Sequence, residues 1–164
     1  SFSKTYAMTG WRLGYLLGPR ELVDAAATIQ SHATSNATSF AMVGALAALE
    51  HAEPEVEKMI VEYEARRDLL IPHLNALPGF RCLPPAGAFY AFPNVSKLYG
   101  KSAGGKTVKN SADLAAYLLE AAKVVLVSGD SFGADAYIRL SYATSMEIIK
   151  KGMDRIEEAV NALT

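Results

Sequence analysis

The sequence predicts an α/β chain: a mixed α/β unit of roughly a hundred residues, preceded by about fifty that read as the edge of a different domain. Three observations carry the prediction. Apolar residues recur at helical spacing over residues 56–77 and again over 146–163. The period changes to two over residues 80–83, 87–92 and 137–142, as half-buried strands require. Residues 1–19 follow neither period and are rich in glycine and aromatic side chains.

Each element follows from local chemistry. Residues 13–17 form an apolar run suited to a buried strand. Residues 21–31 read as a short helix, and Ser35 or Ser39 can cap the next, which runs through Met42, Leu46 and Leu49. The strongest helical stripe comes next, from Val56, Met59, Ile60 and Tyr63 to Leu70, Leu74 and Leu77, with charges from Glu53 to Arg67 covering its outer face. Pro72 has no amide hydrogen to donate, so a kink or an early end is expected there. After Pro78-Gly79, residues 80–83 and 87–92 read as two short strands separated by Pro84-Pro85. Residues 97–110 are polar and glycine-rich, a surface loop. Asn110 or Ser111 caps a helix through Leu114, Tyr117, Leu118 and Ala121. Residues 124–127 and 137–142 are strands on either side of a turn at 129–133. Thr144 or Ser145 caps a last helix, whose Met146, Ile149, Met153, Ile156, Val160 and Leu163 form one stripe.

Composition narrows the function classes. The 164 residues are 51% hydrophobic and 20% charged, an ordinary globular balance. With 16 Lys+Arg against 17 Asp+Glu the formal charge is −1, which argues against an electrostatic nucleic-acid binder or a polybasic membrane-surface protein. The lone cysteine, Cys82, allows no intrachain disulfide and fits a reducing compartment, so a cytoplasmic location is expected. No apolar run approaches the roughly eighteen residues of a membrane span, and no signal peptide is visible. His32, His51 and His73 are scattered without ligand spacing, so no metal site is expected. His51, beside Glu50 and close to Glu53, reads as a solvated helix end.

The most informative stretch is the first, Ser-Phe-Ser-Lys-Thr-Tyr-Ala-Met-Thr-Gly-Trp-Arg-Leu-Gly. Lys4 stands among small hydroxylated residues, and partial desolvation there would favour the neutral amine that carbonyl chemistry needs. Ser1 and Ser3 offer hydroxyls, and Arg12 a planar fork of donors suited to a phosphate. Composition alone reads such a Lys-plus-Arg pair as a surface feature.

The segment resembles the lysine motif of the class I, pyridoxal-phosphate-dependent aminotransferases. Ser1, Ser3, Lys4, Ala7, Met8, Gly10, Arg12, Leu13 and Gly14 fill its constrained positions, and the full wording is similar to the bacterial aspartate and prephenate aminotransferases. The resemblance implies that Lys4 binds pyridoxal 5′-phosphate covalently and later carries a proton between the substrate α-carbon and the cofactor. It implies that Ser1 and Arg12 hold the phosphate. It also implies a fold type I architecture: residues 1–52 as the C-terminal edge of the cofactor-binding large domain, and residues 53–164 as an interdomain helix and the small C-terminal domain.

Residues 137–144, Tyr-Ile-Arg-Leu-Ser-Tyr-Ala-Thr, put Arg139 in the middle of a short strand. Alternation sets Tyr137, Arg139 and Ser141 on one face and Ile138, Leu140 and Tyr142 on the other. A half-buried arginine normally has an anionic partner, and one of the protein's own acids is the simplest candidate. The segment resembles the family's C-terminal arginine motif, which implies that Arg139 grips the substrate α-carboxylate. Gly-Ala-Phe-Tyr at 87–90 is similar to a strand of the family's small domain. Val-Ser-Gly-Asp-Ser-Phe-Gly at 127–133 is similar to a family turn, with Ser128 where proline is commoner; a slightly looser turn is expected. Phe132 is expected either to line the substrate pocket or to join the core.

One motif points elsewhere. Residues 100–107, Gly-Lys-Ser-Ala-Gly-Gly-Lys-Thr, satisfy the P-loop spacing letter for letter. The preceding residues 95–99 are too polar for a P-loop strand, and the following helix signal starts late, at Asn110-Ser111. Nucleotide binding through Lys106 is therefore the minor alternative. The expected activity is amino transfer between an α-amino acid, aspartate or glutamate, and a 2-oxo acid, with prephenate as a further possible acceptor and a homodimer as the assembly. The start at Ser1, without methionine, suggests the C-terminal two-fifths of a longer enzyme, inactive alone. A non-catalytic remnant or interaction module is the reading if 164 residues are the whole chain.

Overall fold

The computed structural model describes residues 1–164, which form two compact units, Ser1–Ile60 and Val61–Thr164. No helix is long and apolar enough to cross a membrane.

The first unit is helical. A closed loop with a short 3₁₀ turn at Thr9–Trp11 leads into α1 (Arg20–Ala33) and α2 (Ser39–His51). Thr38 occupies the N-cap position of α2 and makes no side-chain cap bond, so neither Ser35 nor Ser39 has the capping role expected of it. Residues 13–17 do not form the expected strand: Leu16 and Leu17 are exposed, and no strand exists in residues 1–60 whose backbone could pair with them. Phe2, Met8 and Ala45 make the small core of this unit, with Tyr6, Leu13 and Ala48 packed against it. Helix α2 is apolar on nearly all sides, yet Phe40, Val43, Leu46 and Leu49 stand exposed. A helix of that composition normally lies inside a protein or an interface.

Helix α3 (Glu53–Ala76) is the long stripe predicted from the sequence. It does not stop at Pro72 but continues to Ala76. In the second unit its Leu70, Ile71 and Leu74, followed by Leu77, are buried in the main core.

The second unit packs α4 (Ser111–Ala122) and α5 (Met146–Asn161) with a small antiparallel sheet of β1 (Tyr90–Ala91), β4 (Val127–Ser128) and β5 (Ile138–Ser141), in the order β1-β5-β4. Both helices start as the sequence predicts. Asn110 accepts a hydrogen bond from the amide of Asp113, and Ser145 from the amide of Ile148. The α5 stripe is buried from Ile149 to Leu163, and the Tyr117 hydroxyl ties α4 to the α5 carbonyl of Ala159 at 2.8 Å.

The strands are shorter than expected. Of residues 80–83 only Arg81 pairs, in an isolated bridge with Asn94, because Pro84 and Pro85 interrupt the ladder. Residues 124–127 pair only from Val127, and Val125 is exposed. Residues 97–110 are more ordered than a loop: β2 (Ser102–Ala103) and β3 (Lys106–Thr107) form a hairpin turned at Gly104 and Gly105, both with positive φ. Backbone bonds in both directions between Ser102 and Thr164 pin that hairpin to the C-terminus.

Candidate active site

The lysine segment folds into a loop closed on itself. The Phe2 amide donates to the Leu13 carbonyl at 3.3 Å, and the Met8 amide to the Phe2 carbonyl at 3.4 Å. Phe2 and Met8 point inward and anchor the loop, while Ser1, Ser3 and Lys4 lie on its outer side. Gly14 comes alongside Ser1, whose Cα lies 3.7 Å from where a Gly14 Cβ would stand, which brings both ends of the motif together. The Ser1 hydroxyl donates to the Ser3 Oγ at 3.0 Å and accepts from the Ser3 amide at 3.2 Å. Arg12, next in chain to that closure, holds a left-handed backbone (φ 54°), as does Ala7 (φ 53°). Such conformations in non-glycine residues are costly and persist where surrounding structure imposes them. One Arg12 nitrogen donates to the Thr9 carbonyl at 3.0 Å, and the exposed guanidinium turns the rest of its fork outward.

The loop is braced from α2. Trp11 lies so close to Gly44 that a Cβ there would meet the indole at 2.5 Å, and the Trp11 and Phe40 rings meet edge to face at 6.5 Å. Sequence reasoning passed over Gly44; a glycine inside an apolar helix was the available signal. Lys4 is exposed in this chain, in contrast to the partial desolvation expected.

The second site residue belongs to the other unit. Alternation along β5 is as predicted: Ile138, Leu140 and Tyr142 are buried, while Arg139 is half-buried on the opposite face. Tyr90 lies opposite Ser141 and Asn94 opposite Tyr137, a register that puts Phe92 across from Arg139. The face is aromatic. The Arg139 guanidinium carbon sits 4.4 Å from the Tyr90 ring centre and 4.5 Å from that of Phe132, while Phe92 stacks on Tyr137 at 5.0 Å. No carboxylate of the chain pairs with Arg139, so the simplest sequence expectation, an internal ion pair, is not what the fold provides. Phe132 is about half exposed and is not a core residue.

Phe132 rides on the turn at 129–133, where the Ser128 side chain makes hydrogen bonds that a proline could not. Ser128 caps the short 3₁₀ helix Gly129–Phe132 by accepting from the Asp130 amide, and its hydroxyl meets that of the fully buried Ser111 at 2.7 Å. Ser111 also donates to Asp135 Oδ1 at 2.8 Å, and the Tyr99 hydroxyl donates to the Asp135 carbonyl. Burial pushes the Tyr99 hydroxyl above its usual range, which keeps it a donor.

The P-loop reading fails on geometry. Residues 102–107 are a hairpin, Lys106 pairs with Glu120 at 2.5 Å, and α4 begins only at Ser111, so no helix N-terminus meets the Gly-Lys-Thr. That pairing holds the Glu120 carboxyl below its ordinary range. No group of three His, Cys, Asp or Glu side chains lies close enough to hold a metal ion.

Residues 1–156 match the family described as aminotransferase class I and II. The chain belongs to that family. It is 43% identical over 159 residues to the aspartate aminotransferase of Streptomyces avermitilis, covering 97% of this chain and 39% of that relative. Identity is again 43%, over 162 residues, with a probable aspartate/prephenate aminotransferase of Rickettsia bellii, covering 98% of this chain and 41% of the relative. The crystal structure of the aspartate aminotransferase from Rhizobium meliloti superposes with a TM-score of 0.95 at 42% identity, over 99% of this chain and 41% of that one. The aromatic aminotransferase from Pyrococcus horikoshii does so with a TM-score of 0.88 at 34% identity, over 98% of this chain and 41% of the other. The chain thus spans about two-fifths of the length of the curated relatives it matches. The fold is accordingly that of part of a class I/II aminotransferase, and membership implies pyridoxal phosphate.

Proposed function

We propose that the protein carrying this chain transfers amino groups between an α-amino acid, aspartate or glutamate, and a 2-oxo acid, using pyridoxal 5′-phosphate. One observation carries the reading: a closed loop, anchored by Phe2 and Met8, sets the Lys4 amine, two serine hydroxyls and the Arg12 fork on its outer side. An amine with hydroxyl and guanidinium donors is the set that a phosphorylated aldehyde requires. The donors present therefore fit the cofactor. When bound, pyridoxal phosphate supplies a carbonyl for covalent capture of amines and a ring that withdraws electrons from the substrate α-carbon.

The remaining tasks fall to the chain. Ser1 and Arg12 would hold the phosphate, Ser1 with its hydroxyl and Arg12 with its planar fork of donors. Lys4 would hold the cofactor covalently, and its amine would carry the proton to and from the substrate α-carbon. Arg139 binds the substrate α-carboxylate through paired N–H donors, consistent with a guanidinium that no internal acid claims. Residues 1–52 belong to the edge of the large domain and residues 53–164 to the interdomain helix and small domain in this reading. The exposed apolar side chains of α2 support a further covering surface, and a homodimer is part of the proposal. The single buried thiol, Cys82, fits a cytoplasmic location.

The test is transamination of aspartate and 2-oxoglutarate by the full-length protein. Lys4→Ala is expected to remove turnover by at least about a thousandfold, as loss of a covalent and proton-carrying group does. Turnover within tenfold of wild type in that variant contradicts the proposal.

A further inference from the structure

A guanidinium is planar, and its five N–H donors lie in that plane. In this fold two aromatic rings stand against it: the Arg139 guanidinium carbon lies over the Tyr90 ring, 4.4 Å from its centre, and over the Phe132 ring, 4.5 Å from its centre. Neither ring offers a carboxylate, and Arg139 forms no ion pair with any acid of the chain. Each ring is itself fixed. Tyr90 is held in β1 by pairing with Ser141, on the same sheet face as Arg139. Phe132 closes a turn capped by Ser128 and bonded to buried Ser111, and that turn packs so tightly that Gly129 has no room for a Cβ. Phe132 is about half exposed, so core packing does not explain its position.

We propose that Tyr90 and Phe132 are positioning residues: a two-ring aromatic clamp that holds the Arg139 guanidinium so that it meets a carboxylate with two parallel hydrogen bonds. The clamp makes the site selective for a flat, two-pronged anion and removes the rotational freedom that an arginine side chain otherwise loses on binding. This inference rests on the reading of Arg139 as the substrate carboxylate ligand.

The experiment is steady-state kinetics of the full-length enzyme carrying Phe132→Leu or Tyr90→Leu, each also combined with Arg139→Lys. Loss of one ring is expected to raise KM for the amino-acid donor about tenfold with kcat within about twofold, as expected for one desolvated cation–π partner. Phe132→Tyr and Tyr90→Phe, which keep a ring, restore KM. In the Arg139→Lys background the leucine variants are expected to add less than twofold, because they act through the guanidinium. An additive rise in the double variants, or an unchanged KM in the single ones, overturns the clamp. If Arg139→Lys itself leaves KM unchanged, the carboxylate role of Arg139 fails first, and the clamp falls with it.

Discussion

Gly129→Ala tests how the turn at 129–133 is built. A Cβ on Gly129 would lie 2.2 Å from the Ala134 carbonyl oxygen and 2.3 Å from that of Tyr137, far inside the 3.0 Å that real Cβ atoms keep. Both obstacles are backbone, so no side chain can swing aside. Relieving them pushes apart the Gly129 amide and Tyr137 carbonyl, paired at 2.9 Å, and the Tyr137 amide and Ala134 carbonyl, paired at 3.0 Å. Two lost backbone bonds contribute about 1 kcal/mol each, and the overpacking adds about 1–3 kcal/mol, so the variant is expected to lose about 3–5 kcal/mol. For a unit of this size that lowers Tm by at least about 12 °C. Gly133→Ala is the control: its φ of 69° disfavours alanine, but nothing lies within 4 Å of the new Cβ, so the loss is expected near 1 kcal/mol. Urea unfolding followed by far-ultraviolet circular dichroism compares the two. Equal losses would refute the tight-turn account.

Three further outcomes follow from the structure. Ser128→Ala removes the 3₁₀ cap and the hydrogen bond to Ser111, and is expected to lose about 1–2 kcal/mol in the same urea assay; an unchanged midpoint would mean that the serine pair bears no load. Gly44→Ala drives a Cβ into the Trp11 indole, the only tryptophan, and is expected to swing the ring outward and shift its fluorescence to the red; unchanged emission contradicts the bracing of the lysine loop from α2. Burial pushes the Cys82 thiol up from its ordinary range, so at pH 8 the folded protein is expected to react with thiol reagents more than about tenfold slower than in denaturant; rapid native labelling would show the site open.

What the sequence revealed, and what it hid, divides by the range of the forces involved. Helices α3, α4 and α5 were legible because their stripes and their Asn110 and Ser145 caps are local chemistry. The strand face that carries Arg139 was legible because alternation is local as well, while its role came from the resemblance of its segment to the family's arginine motif. The strand expected over residues 13–17 was not realised, because an apolar run becomes a strand only where another backbone pairs with it. In the hairpin at 102–107 the turn at Gly104-Gly105 is local, but the pairing of Ser102 with Thr164, across 62 positions of sequence, is not. Lys4, Ser1 and Arg12 could be named from their motif, but the loop closure from Phe2 to Leu13 and the brace at Gly44 could not. Ser128 shows the limit most clearly. The motif marks it only as standing where proline is commoner, and does not show that its hydroxyl reaches a buried serine 17 residues away in the chain.

The proposed chemistry turns on one amine. Incubating the full-length protein with pyridoxal phosphate, reducing with borohydride and mapping peptides by mass spectrometry locates the attachment directly. One major adduct is expected, on Lys4, and it is expected to be lost in Lys4→Ala. An adduct that persists in that variant, or one placed on Lys106 within the hairpin, would contradict it.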